Sequence, residues 1–129
     1  MNGKYLLDTN IVIAIFADEA VVRQKLAEAA EVFVPSIVLG ELYYGAQKSA
    51  RSASNVTRVD ELAANNTVLV CDTETARHYG QIKSELRAKG RPIPENDLWI
   101  AAVAKQYQLT LVTRDGHFDN VDRLLTAMW

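Results

Sequence analysis

Short apolar runs alternate with helix-length segments from one end of the chain to the other, and this alternation constrains the fold more than any single residue does. Lys4–Leu7 is short and apolar and runs into Asp-Thr-Asn, a cap or turn cluster that suits a strand leading into a helix. Helices are predicted over Asn10–Phe16 and Val21–Ala30, the second from Val22, Leu26, Ala29 and Ala30 at helical spacing. Glu31–Pro35 is a second strand, Ser36 opens a helix to about Lys48, and another helix spans Ser52–Ala64 before a third strand at Thr67–Val70. Asp72 or Thr73 caps a long helix to about Lys89, closed by Gly90 with Pro92 just beyond. A helix at Asp97–Tyr107, a fourth strand at Leu109–Val112 and a short fifth at Leu124–Met128 complete the pattern. Strands joined through helices pair in parallel by right-handed crossovers. The expected class is therefore α/β, a mainly parallel sheet of four to five strands with helices on both faces.

A chain of 129 residues, 49% hydrophobic and 23% charged, is of ordinary globular composition, and it buries roughly two-thirds of its unfolded surface. It shows no repeat, low-complexity tract or flexible linker, so residues 1–129 are read as a single domain. One cysteine, Cys71, builds no disulfide scaffold, which points to a reducing compartment. At the end of an apolar strand it is expected to be a small buried residue. Asp8 interrupts the first apolar stretch, no leader pattern precedes it, and no 18-residue apolar run occurs, so a soluble cytoplasmic protein with no membrane partner is expected. A net charge of −2 excludes a globally basic nucleic-acid binder. Segment 77–91 nonetheless carries Arg77, Lys83, Arg87, Lys89 and Arg91 against Glu85 alone, either as a solvated helix face or as a local basic surface.

In parallel α/β folds the site lies beyond the carboxyl ends of the strands, where strand order reverses. Asp8 and Asp115 fall near two such ends. Each acid has a purely local explanation: Asp8 and Asp97 as helix caps, worth ~1 kcal/mol apiece, and Asp115 as the first residue of a β-turn. Glu41 resists one. Its i−4, i−3, i+3 and i+4 neighbours are Ile37, Val38, Tyr44 and Gly45, so its carboxylate shares an apolar helix face. An isolated buried carboxylate costs several kcal/mol unless it is paired, protonated or metal-bound. Asp97, with Ile100 and Ala101 at i+3 and i+4, leans inward in the same way, and no Lys or Arg shares either local face. A divalent cation is the simplest partner. Oxygen donors suit Mg²⁺ or Mn²⁺, and the absence of a His or Cys cluster argues against structural zinc. His78 and His117 lack ligand-like spacing, and His117 is expected at the surface.

Four separated segments, LLDTN, PSIVLGELYYGA, IPENDLWIAAVA and LVTRDGHFD, together resemble the PIN domain, and within it the VapC-type ribonuclease toxins of toxin–antitoxin modules. The resemblance runs from Asp8 to Asp119, with 33, 56 and 18 positions between successive acids. It implies a three-layer α/β/α sandwich. It also implies an acidic Mg²⁺- or Mn²⁺-binding pocket of Asp8, Glu41, Asp97 and Asp115, in which Asp8 and Asp97 are the firmest ligands. Asn10, Thr113 and Asp119 match supporting polar positions, with Thr9 as the helix-entry neighbour. The implied activity is hydrolysis of RNA phosphodiesters by metal-activated water, leaving 5′-phosphate and 3′-hydroxyl ends. A homodimer and an antitoxin partner are implied with it. Arg114, Lys83, Arg87, Lys89 and Arg91 are candidate phosphate contacts.

An alternative keeps the fold as a catalytically silent module that binds RNA or an antitoxin. A haloacid-dehalogenase-type phosphatase is disfavoured because its second catalytic Asp would stand where Asn10 does, and a phospho-receiver because its acceptor Asp and late Lys are missing. Tyr44 and Trp99 are expected in core or dimer packing rather than in base stacking. Helices 36–48 and 52–64 are the expected places for a dimer patch.

Overall fold

The computed structural model describes residues 3–129. Its elements run β1 (Lys4–Leu7), α1 (Thr9–Phe16), α2 (Ala20–Glu28), β2 (Glu31–Pro35), α3 (Ser36–Gln47) and α4 (Ser52–Asn65), then β3 (Thr67–Leu69), α5 (Thr73–Ala88), α6 (Glu95–Tyr107), β4 (Thr110–Val112), a 3-10 turn at Gly116–Asn120 and β5 (Thr126–Ala127). The sheet order is β3-β2-β1-β4-β5, and every neighbouring pair is parallel. Leu6 and Leu7 project to opposite faces of β1, and both are buried, as are Leu111 and Val112 on β4. Both faces of the sheet are thus covered, which makes the three-layer α/β/α sandwich.

The chain steps outward from β1 to β2 to β3 and then returns to lay β4 on the other side of β1. Strand order therefore reverses between β1 and β4, and the crevice at their carboxyl ends is the topological switch point. Central in the core is α6, buried at Leu98 and continuously from Ile100 to Ala104. Its alanines let it pack closely against α5 and α3. No helix among the described residues is long and apolar enough to cross a membrane.

Capping chemistry sets most boundaries. Asp72 and Thr75 form a reciprocal capping box at the start of α5. At its end Gly90 adopts φ +68°, while the Arg91 and Gly90 N–H groups donate to the Leu86 and Arg87 carbonyls, a Schellman closure that needs the left-handed glycine. Elsewhere the structure corrects the sequence reading. Helix α6 begins at Glu95, just after Pro94, whose fixed φ suits a helix entry, so Asp97 lies in the first turn rather than at the cap. Strand β3 ends at Leu69, which leaves Val70 and Cys71 exposed; the buried cysteine expected at the strand end is not there. Helix α2 stops at Glu28, two residues short of the expected Ala30. Tyr44 is 68% exposed rather than in the core, whereas Trp99 is half-buried and stacks on Tyr79 with centroids 4.1 Å apart.

Candidate functional site

Asp8 follows β1 directly. Its backbone N–H continues the sheet by donating to the Val112 carbonyl (3.0 Å), which ties the end of β1 to the end of β4. Its side chain caps α1 through the Thr9 N–H (2.8 Å) and accepts the Thr113 hydroxyl at 2.7 Å on the other oxygen, which the Asn10 amide also approaches at 3.5 Å. The local capping role and the inward placement coexist in one residue. Thr113 passes the connection onward, since its hydroxyl oxygen accepts the Asp115 N–H at 3.0 Å. Asn10 accepts the Arg114 N–H at 3.2 Å. Asn10 and Thr113 thus hold the first and last acids in a fixed relation.

Glu41 lies on α3, whose buried stripe is Val38, Leu42 and Ala46. Of the face expected at Ile37, Val38, Tyr44 and Gly45 only Val38 is fully buried, so the stripe is centred about one residue, roughly 100°, away from Glu41. Glu41 therefore sits half-buried at the margin of the stripe, not within it. There its carboxylate accepts the Thr9 hydroxyl at 3.1 Å. Asp97 projects from the first turn of α6 with its side chain 15% exposed. Asp115 caps the 3-10 turn by accepting the His117 N–H at 2.9 Å. The His117 ring turns back into the site, with Nδ1 3.0 Å from Asp115 Oδ1 and 3.4 Å from Asp97 Oδ2. One donor atom from each of Asp97, Asp115 and His117 lies within 4.8 Å of the others.

Three of the four carboxyls are held above their ordinary range. For Asp8 the main cause is burial, reinforced by the Asp115 charge and opposed by the Thr113 and Thr9 hydrogen bonds. Burial also leads for Glu41, followed by the opposing Thr9 bond and then by the charges of Asp8 and Asp97. For Asp97 burial comes first and the Asp8 charge second, with His117 opposing. The acids are thus desolvated and close enough to raise one another. Three of the candidate cations are engaged with other groups: Arg114 with Glu19 and the Trp129 carbonyl, Lys83 with Glu95, and Lys89 with Asp122. Asp97, Asp115 and His117 offer donor atoms close enough together to share a divalent cation, while the Asp8 and Glu41 carboxyls lie outside that group, near enough for the acids to raise one another.

The remaining sequence candidates are dispersed. Asp119 is exposed on the 3-10 turn, outside the Asp97–Asp115–His117 cluster. Arg87 and Arg91 are exposed at the end of α5 and just beyond it. Arg87, Lys83 and Glu95 line a cavity of about 520 Å³ between α5 and α6. Two residues make contacts that the sequence does not reveal. Thr9 anchors Glu41 across 32 positions, a contact with no local signature. His117 is exposed as expected but points inward, and the available signal was its position two residues after an Asp able to form an Asx turn.

The pattern that defines the PIN domain matches residues 5–124. The chain is 37% identical to Ribonuclease VapC2 of Haemophilus influenzae and 35% identical to the tRNA(fMet)-specific endonuclease VapC of Shigella flexneri, with 98% of each chain covered in both cases. Its fold superposes, at a TM-score of 0.91, 31% identity and 98% coverage of both chains, on the crystal structure of VapBC2 from Rickettsia felis bound to a DNA fragment from their promoter.

Proposed function

The chain belongs to the PIN-domain family, and from that premise we propose that it is a metal-dependent endoribonuclease, the toxin of a type II toxin–antitoxin system. Residues 1–129 form a single PIN domain that acts in the cytoplasm as a homodimer, with a cognate antitoxin and an RNA substrate as partners. The observation that carries the proposal is the acid cluster at the β1/β4 switch point, where three desolvated carboxyls are each raised above their ordinary range without a lysine or arginine among the causes. Desolvated carboxylates that repel one another favour uptake of a divalent cation.

Asp8, Glu41, Asp97 and Asp115 would hold one or two Mg²⁺ or Mn²⁺ ions, which would supply Lewis acidity at a phosphoryl oxygen and acidify an attacking water. The chain's own residues provide the geometry. Thr113 and the α1 N-terminus fix Asp8, Thr9 orients Glu41, and the 3-10 turn holds Asp115. Asp97 presents its charge at the N-terminal turn of α6, where the helix dipole favours an anion.

The test compares the wild-type chain with Asp97→Asn on a panel of structured RNAs in Mg²⁺, Mn²⁺ or EDTA. Initiator tRNA is included because the Shigella relative is named for it. Cleavage by wild type in metal alone, lost in the variant, is the expected result. Equal cleavage by both proteins assigns the activity elsewhere. Metal binding without cleavage of any RNA favours the silent RNA- or antitoxin-binding module.

A further inference from the structure

An all-oxygen site is what the acids by themselves provide, and His117 breaks that rule. Its Nδ1 stands 3.0 Å from Asp115 Oδ1 and 3.4 Å from Asp97 Oδ2. Ligand atoms on adjacent corners of an octahedral ion with bonds of ~2.1 Å are ~3.0 Å apart, and on opposite corners ~4.2 Å. The two Nδ1 distances are close to those of neighbouring ligand positions, and the Asp97 and Asp115 oxygens lie within 4.8 Å of each other.

The histidine is also held in place. Its N–H caps against Asp115 Oδ1, its carbonyl accepts the Asn120 amide at 3.3 Å, and the next residue, Phe118, is fully buried and anchors the turn to the core. The ring therefore does not hang from a free loop, although its outer side faces solvent. A neutral imidazole offers one lone pair, and with its proton on Nε2 that lone pair would face Asp97 and Asp115 from Nδ1.

Building on the metal-centre proposal above, we infer that His117 is a nitrogen ligand beside Asp97 and Asp115, and that it tunes the site toward Mn²⁺ and other first-row transition ions over Mg²⁺. Imidazole suits Fe, Ni, Cu and Zn best; Mn²⁺ shares the oxygen preference of Mg²⁺ but, as a first-row transition ion, accepts a nitrogen donor more readily. Without His117 the site is left with oxygen donors alone, which distinguish these ions poorly.

The chain contains only two histidines, His117 and His78, so the ligand is assignable by spectroscopy. The metal-free protein, carrying no polyhistidine tag, is loaded with one equivalent of Mn²⁺ and examined by pulsed EPR. A histidine ¹⁴N modulation is expected in wild type and in His78→Asn, converts to the ¹⁵N pattern on histidine labelling, and disappears in His117→Asn. In parallel, calorimetric titration is expected to show Mn²⁺ binding weakened at least about tenfold by His117→Asn, with Mg²⁺ binding changed less than about twofold. Bound Mn²⁺ with no nitrogen modulation in wild type overturns the inference and leaves the metal centre standing, as does modulation that persists in His117→Asn. Failure of wild type to bind either ion overturns the metal centre itself and this inference with it.

Discussion

Asp97→Asn should make the metal-free protein more stable at neutral pH. Asp97 is raised first by burial, then by the charge of Asp8 and more weakly by that of Asp115, with His117 opposing; the Asp97 and Asp115 carboxylate oxygens lie within 4.8 Å of each other. Two unit charges at that separation repel by about 3 kcal/mol at an effective dielectric constant of 20, and by about 1 kcal/mol in bulk water. The Asp97 side chain is 15% exposed and that of Asp115 32%, so solvent screens one partner substantially and about 1–2 kcal/mol is the appropriate range. Against this, the variant loses the favourable charge at the N-terminus of α6, worth about 0.3–1 kcal/mol. The net gain is about 1 kcal/mol, a rise in Tm of about 3–5 °C for a chain of this size. The pH dependence follows from the raised carboxyl of Asp97. A group whose folded pKa exceeds its unfolded one contributes stability that is fully present below the unfolded value and is lost as pH rises through the folded value. The advantage of the variant should therefore be present at pH 7.5 and shrink as pH falls through the raised Asp97 pKa toward the ordinary aspartate range. Thermal melts in EDTA across this range measure it. Saturating Mn²⁺ should reverse the order, since wild type gains about 2.7 kcal/mol at a hundredfold excess over Kd and the variant gains less. A variant that melts at or below wild type in EDTA at pH 7.5 would refute the repulsion argument.

Two further outcomes are expected. Thr113→Val removes the 2.7 Å donor to the buried Asp8 carboxylate and should cost about 2–3 kcal/mol in urea unfolding at pH 7, with Thr113→Ser restoring most of it; equal stability of the two variants would count against that bond. Because this donor lowers the Asp8 pKa, its loss should also move the onset of divalent-ion binding to higher pH. Arg87→Ala and Arg91→Ala, made in the cleavage-deficient Asp97→Asn background, should each reduce the log–log salt slope of RNA binding by about 0.7 if they contact phosphates; filter binding between low and moderate salt reads this directly, and unchanged slopes would remove the end of α5 from the RNA surface.

Legibility followed the range of the interaction concerned. The strand–helix alternation was readable because each element carries its own periodicity and punctuation: Asp72 and Thr75 bracket the start of α5, and Gly90 ends it within a few residues. The four acids are joined as a set in the sequence by the resemblance of the segments that carry them to the PIN domain. Their surroundings were less readable. Helix periodicity located the apolar face of α3 only to within one residue, and the packing of α3 against the sheet and α4 set the final rotation, which left Glu41 at the margin and Tyr44 in solvent. The end of β3 was misjudged because apolar character continues through Val70 and Cys71, while pairing with β2 stops at Leu69.

The order and character of the elements, and the four acids near strand ends and helix starts, belong to the sequence alone, since propensity, capping and hydrophobic period act over a handful of neighbours. The sheet order that brings β4 beside β1, the Thr113 bond to Asp8 across 105 positions, the Thr9 bond to Glu41 and the turning of His117 onto Asp97 exist only in the folded chain. These contacts join residues far apart in sequence, and their geometry is set by how β1, β4, α3 and α6 pack together, which no local pattern encodes.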